Sequence, residues 1–274
     1  MKSKLNLTYL TFMSGPLPDP HVMASGDKLK DIHPQPGICK LLHSLEDLNL
    51  VDCAILCPPE ISTDIIKHPG ETEFPQLPVD GYYFKFPIDF EQNYKQQCHL
   101  ESLKLSQEIS ATIEEETRQQ SQCQLWTQVR KLRLIANRFH EICHVRRESS
   151  IKALAACIMH NETTGTMKRG LDLEPEILRQ YSDFSDVSVT QCGIIIHSDA
   201  PHLGASPDAK VFNPGETPPF GLAQVKSCDV ENVAQVKQLI TVKGQACLKK
   251  SHKYYYHVQS QLRLSGLQWC DFIR

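Results

Sequence analysis

Four side chains of this 274-residue sequence have the types and order that phosphate chemistry needs: Glu174, Asp208, Gln224 and Lys226. Asp208 ends the turn Gly204-Ala205-Ser206-Pro207-Asp208 at the mouth of a strand-like run, where a carboxylate can project into a cleft. Gln224 and Lys226 flank Val225 on a second such run, and residues two apart on a strand share a face. An acid from a turn, a carboxyl or amide oxygen from the next strand and an adjacent lysine make a site for Mg²⁺, a hard cation that takes oxygen ligands and is usually completed by a substrate phosphate. The lysine would orient an attacking water and offset the charge that builds on phosphorus. Each residue also has an ordinary structural role open to it. Asp208 can cap a turn, Lys226 can be a solvated strand residue and Glu174 can be an acid in a first helical turn.

The elements that must position these groups follow from periodicity. Leu103, Leu105, Ile109, Ile113 and Thr117 recur at helical spacing and predict a helix over 100–120. Further helices are expected over 125–143 and 151–159, and another from Leu173 with Pro175 in its first turn. The period then changes. Runs 192–197, 209–212 and 220–226 read as short strands separated by Gly, Pro, Ser and Asp turns. Helices over 230–239 and 254–265 and a last strand from Trp269 to Ile273 complete the order. This is an α/β (α+β) pattern with a small mixed sheet flanked by helices. Residues 1–100 are Pro-rich and read as an irregular N-terminal region, distinct from a domain over 101–274. The chain ends at Arg274 inside the expected last strand, which suggests a truncated sheet edge.

Composition narrows the class. With 41% hydrophobic residues and a net charge of −3 the chain is neither disordered nor fibrous. No run of about 18 apolar residues occurs, so no membrane partner is expected, and the first ten residues lack the pattern of a secretory signal. The 11 scattered cysteines contain no C-x-x-C pair, which favours free thiols in a reducing, intracellular setting, the nucleus included. Cys53 and Cys57 come nearest to a metal pair. The net charge conceals a division: residues 1–125 carry −8, residues 126–170 carry +6 and residues 171–274 carry −1. Arg130, Lys131, Arg133 and Arg138 lie in the basic block, which is either a solvated face or a phosphate-binding surface.

Several ordered motifs now add to these readings. Leu203-Gly204-Ala205-Ser206-Pro207-Asp208, the strand Gly221 to Lys226, and Tyr254-Tyr255-Tyr256-His257-Val258-Gln259-Ser260-Gln261-Leu262 followed by Gly266 and Trp269-Cys270-Asp271-Phe272 resemble the YqaJ viral recombinase family. Upstream, Gln120-Ser121, Leu125-Trp126, the run Arg133 to Phe139, Arg169-Gly170 and Glu174 extend the resemblance over about 113–274. That family contains phage lambda exonuclease and has the PD-(D/E)XK, restriction-endonuclease-like fold. The resemblance implies a Mg²⁺-dependent exonuclease, with Mn²⁺ as an alternative ion, that degrades duplex DNA from a 5′ end in viral or mobile-element recombination. It implies metal ligation by Asp208, by the position of Gln224, by the Val225 carbonyl and by Glu174, with Lys226 as the catalytic lysine and Gln259 facing the site. The segment holding Arg130, Lys131, Arg133 and Arg138 would meet the DNA, and a homo-oligomer is implied by analogy.

Two departures from the family pattern keep a second function open. Gln224 stands where the family has glutamate, and a neutral amide oxygen is a weaker ligand for Mg²⁺. Ile135 and Asn137 replace a threonine and a serine, removing hydroxyls that could meet a terminal phosphate. The alternative to an exonuclease is therefore a catalytically degenerate module that binds DNA, or another protein, on the same fold.

Overall fold

The computed structural model describes residues 9–13, 64–70, 73–83, 94–145, 153–156, 165–226, 238–242 and 245–274. Its central sheet is formed by β1 (Tyr9–Met13), β3 (Ser188–Gln191), β5 (Ala209–Phe212), β6 (Phe220–Val225) and β9 (Trp269–Ile273), in the order β1-β9-β6-β5-β3. The meander β3-β5-β6 is antiparallel, β9 returns parallel to β6, and β1 closes the far side antiparallel to β9. A parallel return requires a crossover, and α6 (Lys253–Ser265) lies within it. The expected mixed sheet with flanking helices is thus the architecture of the protein.

Burial follows the strand sequences. Every residue of β5 and β9 is buried, as near-continuous apolar runs demand of strands covered on both faces. Trp269 is fully buried on β9 and its ring lies directly over Gly221 of β6, where an added Cβ would come within 2.2 Å of the indole. Only glycine permits that approach. α6 begins at His252, whose ring nitrogen accepts from the Tyr254 N–H, and stops at Gly266, which takes a left-handed φ of 81°.

Several expected boundaries move. The helix expected over 100–120 is two helices, α1 (Tyr94–Ser102) and α2 (Gln107–Glu116), because the Ser106 side chain caps the second by accepting from Ile109 N–H at 3.3 Å. The helix expected over 125–143 breaks after α3 (Gln124–Lys131), where β2 (Leu134–Ile135) pairs parallel with β4 (Leu203–Gly204) before α4 (Phe139–Cys143). α5 (Gly165–Ser185) starts eight residues before Leu173, which makes Pro175 internal and deletes one main-chain hydrogen bond beside Glu174.

The strand expected at 192–197 is not one. Its Gly193 and Ile194 N–H groups are taken by side chains of α2 and its end, Glu114 Oε1 at 3.1 Å and Thr117 Oγ1 at 2.9 Å, and only Ile195 bridges to Ala205. Leu239, the end of the expected helix over 230–239, instead begins the hairpin β7 (Leu239–Val242) and β8 (Gln245–Leu248), and residues 230–237 lie outside the described ones. Of the helix expected over 151–159, residues 153–156 are described and helical.

α1 runs through residue 100, and described segments before it meet the rest of the fold. Leu77 is in the main core, Ile65 bridges to Val189 and β1 covers β9, so the final strand is interior to the sheet and not an edge. Cys53 and Cys57 lie outside the described residues, whereas Cys98, Cys123, Cys143, Cys192, Cys247 and Cys270 are free thiols. Among the described residues no helix is long and apolar enough to cross a membrane.

Candidate active site

Asp208 sits where the Ser206-Pro207 turn enters β5, with its own N–H bonded to the Ala223 carbonyl of β6 at 3.1 Å. This pairing sets the carboxylate against the end of β6. Its Oδ2 accepts from the Val225 N–H at 2.6 Å and from the Gln224 side-chain nitrogen, and Lys226 Nζ stands 3.8 Å away. Lys226 also donates to the Val225 carbonyl at 2.7 Å. Three consecutive residues of one strand end therefore surround one carboxylate, which is the outcome that alternation on a strand predicts for positions 224 and 226.

Glu174 arrives from α5. Glu174, Ile177, Leu178 and Tyr181 occupy one helical face at i, i+3, i+4 and i+7. Ile177, Leu178 and Tyr181 pack on the sheet, and the Tyr181 hydroxyl donates to Asp271 of β9. This docking carries Glu174 to Asp208: burial first, and then the Asp208 charge, push the Glu174 carboxyl up to about 9 despite Lys226. Asp208 is raised as well, chiefly by burial, against the opposing pull of Lys226. Without a cation Glu174 therefore keeps its proton beside Asp208, and a divalent ion in contact with both carboxyls would favour the ionised form of each.

The remaining donor is Gln224, 1% exposed. Its nitrogen faces Asp208 and its oxygen accepts from Gln261 Nε2 at 2.6 Å. Gln261 also reaches His257 Nε2 at 3.3 Å, which keeps that imidazole in the accepting, neutral form; burial, Lys226 and Arg130 hold its pKa well below the ordinary value. Residues 259 and 261 are about 200° apart on a helix, so with Gln261 and His257 turned inward Gln259 is turned away. The Q-x-Q segment thus contributes its second glutamine, and Gln259 is half-buried off the site. His257, Val258, Ser260, Gln261, Leu262, Leu264 and Ser265 are the buried positions of α6, and Gln259 lies outside that arc.

For a divalent cation the donor set fits. Asp208 and Glu174 offer carboxylates, the Val225 carbonyl lies beside them, and the Gln261 side-chain oxygen is a buried acceptor left without a partner among the described residues. Among the described residues no group of three His, Cys, Asp or Glu comes together.

Two residues not assigned a role from the sequence fix the turn that bears Asp208. Gln120, at a left-handed φ of 46°, donates its side-chain amide to the Pro207 carbonyl at 2.7 Å and to Cys192 O at 2.9 Å. Trp126 donates its indole N–H to Ser206 Oγ at 2.9 Å. Gln120 lies in the short turn between α2 and α3 and Trp126 in the first turn of α3, and neither place in the sequence reveals a partner about 80 residues away.

The four basic residues separate. Arg130 stacks its guanidinium 4.1 Å from the Trp126 ring centroid, has no carboxylate against it among the described residues, and is lowered to about 10 by burial. Lys131 is exposed. Arg133 donates to the carbonyls of Pro201 at 2.8 Å and Val129 at 3.2 Å, and Arg138 is paired with Glu141 at 3.0 Å, so both are engaged within the fold.

A mixed α/β sheet thus brings a turn aspartate, a strand-end lysine and a helical glutamate to one point. Residues 125–268 match the model of the YqaJ-like viral recombinase domain, and the chain belongs to that family. Among solved structures it is similar to the alkaline exonuclease LHK-Exo of Laribacter hongkongensis, at 26% identity, TM-score 0.40, over 52% of this chain and 69% of that one. The same exonuclease in complex with dAMP gives 25% identity and a TM-score of 0.39 over 53% and 70% of the two chains. No curated protein matches.

Proposed function

We propose that this protein is a divalent-metal-dependent DNA exonuclease acting in recombination, cutting duplex DNA from a 5′ end with Mg²⁺ or Mn²⁺. The observation that carries the reading is the joining of Asp208, Glu174 and Lys226 at one strand end in a member of the YqaJ family. Asp208 and Glu174 would hold the cation, the Val225 carbonyl would join them on release by Lys226, and Gln224 would add its oxygen only by giving up the bond from Gln261. When bound, such an ion polarises the phosphate and lowers the pKa of a bound water. Lys226, at the same strand end, orients the attacking water and offsets charge on the phosphate oxygens as it develops. Arg130, held flat by Trp126, takes a backbone phosphate, and exposed Lys131 adds to the field that draws DNA in.

Duplex carrying a label at either the 5′ or the 3′ end, incubated with the protein and Mg²⁺ or Mn²⁺, tests this. Rapid loss of the 5′ label with late loss of the 3′ label is expected, and metal-independent or 3′-first release contradicts it.

One observation favours a second reading, a DNA-binding module without turnover. Gln224 donates to Asp208 where a second acid would ligate, so the cluster is satisfied in part by hydrogen bonds alone. That reading predicts salt-sensitive DNA binding with both labels retained.

A further inference from the structure

Beside the candidate active site, and not used by it, lies a cluster of imidazoles and lysines where α4 meets the start of α6. His140 and His144 stack with ring centroids 4.2 Å apart, and both rest edge-on against Tyr256, at 5.1 and 5.3 Å. His140 Nε2 contacts the Ser251 carbonyl at 3.2 Å, which fastens α4 to the loop that carries Lys249, Lys250 and His252 and leads into Lys253, the first residue of α6. The charged or titratable groups around His140 are His144, Glu141, Lys253 and His252, and those around His252 are Lys253, His140 and Lys249. Glu141 is the acid of this set, and it is already paired with Arg138. Lys250, Lys253 and His144 are exposed, and no ion pair to any of them occurs among the described residues.

The geometry points to this cluster as a second DNA-contact surface, in which Lys250, Lys253, His140 and His252 hold the phosphate backbone of the strand leading to the catalytic centre. This rests on the proposed exonuclease function and deepens it. Four observations support it. The surface is cationic in a chain of net charge −3, so it is not a consequence of overall composition. Its imidazoles and Tyr256 form one aromatic group with exposed His144 at its outer side, which suits stacking against an unpaired base as well as phosphate contact. Lys253 is eight residues from Gln261 on one helix, a rise of about 12 Å, the axial span of about three to four phosphates of one strand. Finally, burial and the neighbouring cations hold His140 and His252 below the ordinary imidazole range, so both are neutral until an anion arrives. A bound phosphate favours the imidazolium, so binding takes up protons and affinity rises as pH falls.

The test is fluorescence anisotropy of labelled single-stranded and blunt duplex oligonucleotides with the full chain in EDTA, which prevents cleavage. Binding is read at several salt concentrations, at about pH 8 and about pH 6. The unaltered chain is expected to bind at least about threefold more tightly at the lower pH. Lys250→Ala with Lys253→Ala should flatten the salt dependence by about 1.4 to 1.8 in log–log slope. His140→Gln with His252→Asn should abolish the gain at low pH; asparagine at 252 keeps a capping side chain for α6. Arg130→Ala should weaken binding but leave the pH gain intact. An unchanged slope in the lysine variant, or an unchanged pH gain in the histidine variant, overturns this surface while leaving the exonuclease reading standing. Failure of the unaltered chain to bind either DNA overturns both.

Discussion

At the scale of single residues, Gln224 distinguishes this site from one built on two strand acids. Its nitrogen donates to Asp208 and its oxygen accepts from Gln261, so the amide is matched on both sides by hydrogen bonds. Replacing it by glutamate would put a second carboxylate against Asp208 at a position 1% exposed. Gln224→Glu should therefore lower stability by about 2 kcal/mol in EDTA, with much of the loss recovered in Mg²⁺, as thermal melts under the two conditions would show. A melt that is unchanged in EDTA contradicts the hydrogen-bonded role of the amide. Asp208, Lys226 and Glu174 were legible from residue type and order because a strand's alternation and a helix's period fix which positions converge. Gln261 in place of Gln259 was not, since Q-x-Q offers two candidates and only the packing of Val258 and Leu262 decides which turns inward.

At the scale of elements, the site depends on how the Asp208 turn and the helices are fastened. Gln120 spans the Pro207 and Cys192 carbonyls, so it acts on Asp208 through the chain and is a positioning residue. Gln120→Ala should cost about 1 to 2 kcal/mol of stability but lower kcat by at least about tenfold with KM for DNA little changed, because a small misplacement of a reacting group is costly. Equal losses in stability and turnover, removed by assaying at lower temperature, would reduce Gln120 to a packing residue. α2 is fastened to β5 by the buried pair Glu114–Lys210 at 3.2 Å, and Arg118, one turn on from Glu114, pairs with the same carboxylate at 3.1 Å. Burial opposes the charged carboxylate, yet Lys210, Arg118 and the Gly193 N–H together hold Glu114 below the usual carboxylate value. A depressed folded-state value stabilises the protein above the unfolded value of about 4.3, and that contribution is lost as pH falls through the folded one. Urea titrations should show stability falling over this acid range, and Glu114→Gln should remove that dependence while costing about 3 kcal/mol at neutral pH. The sequence could not show this contact, because 192–197 has the apolar run of a strand and nothing in it says that its N–H groups are claimed by side chains of α2.

At the scale of the whole molecule, charge and topology work together. The sheet brings β6, β5 and α5 to one point, and α3 and α6 flank that point with Arg130 and the Lys253 end of the helix. Division of the sequence into acidic, basic and balanced blocks anticipates a local cationic surface, but it marks Arg133 and Arg138 equally with Arg130. Folding separates them, since two guanidinium groups are used on carbonyls and a carboxylate and one is left stacked on an indole. DNA association should accordingly weaken steeply with salt despite the net negative charge, and Arg130→Ala should weaken it more than Arg138→Ala in the same anisotropy titration. The central claim is that the carboxylate cluster cuts DNA with a divalent cation, and the most direct measurement is release of 5′-labelled nucleotide from linear duplex in Mg²⁺ by the unaltered chain and by Asp208→Ala in parallel. Metal-dependent release by the former and none by the latter is predicted; no release by either, or release unaffected by Asp208→Ala, would contradict it.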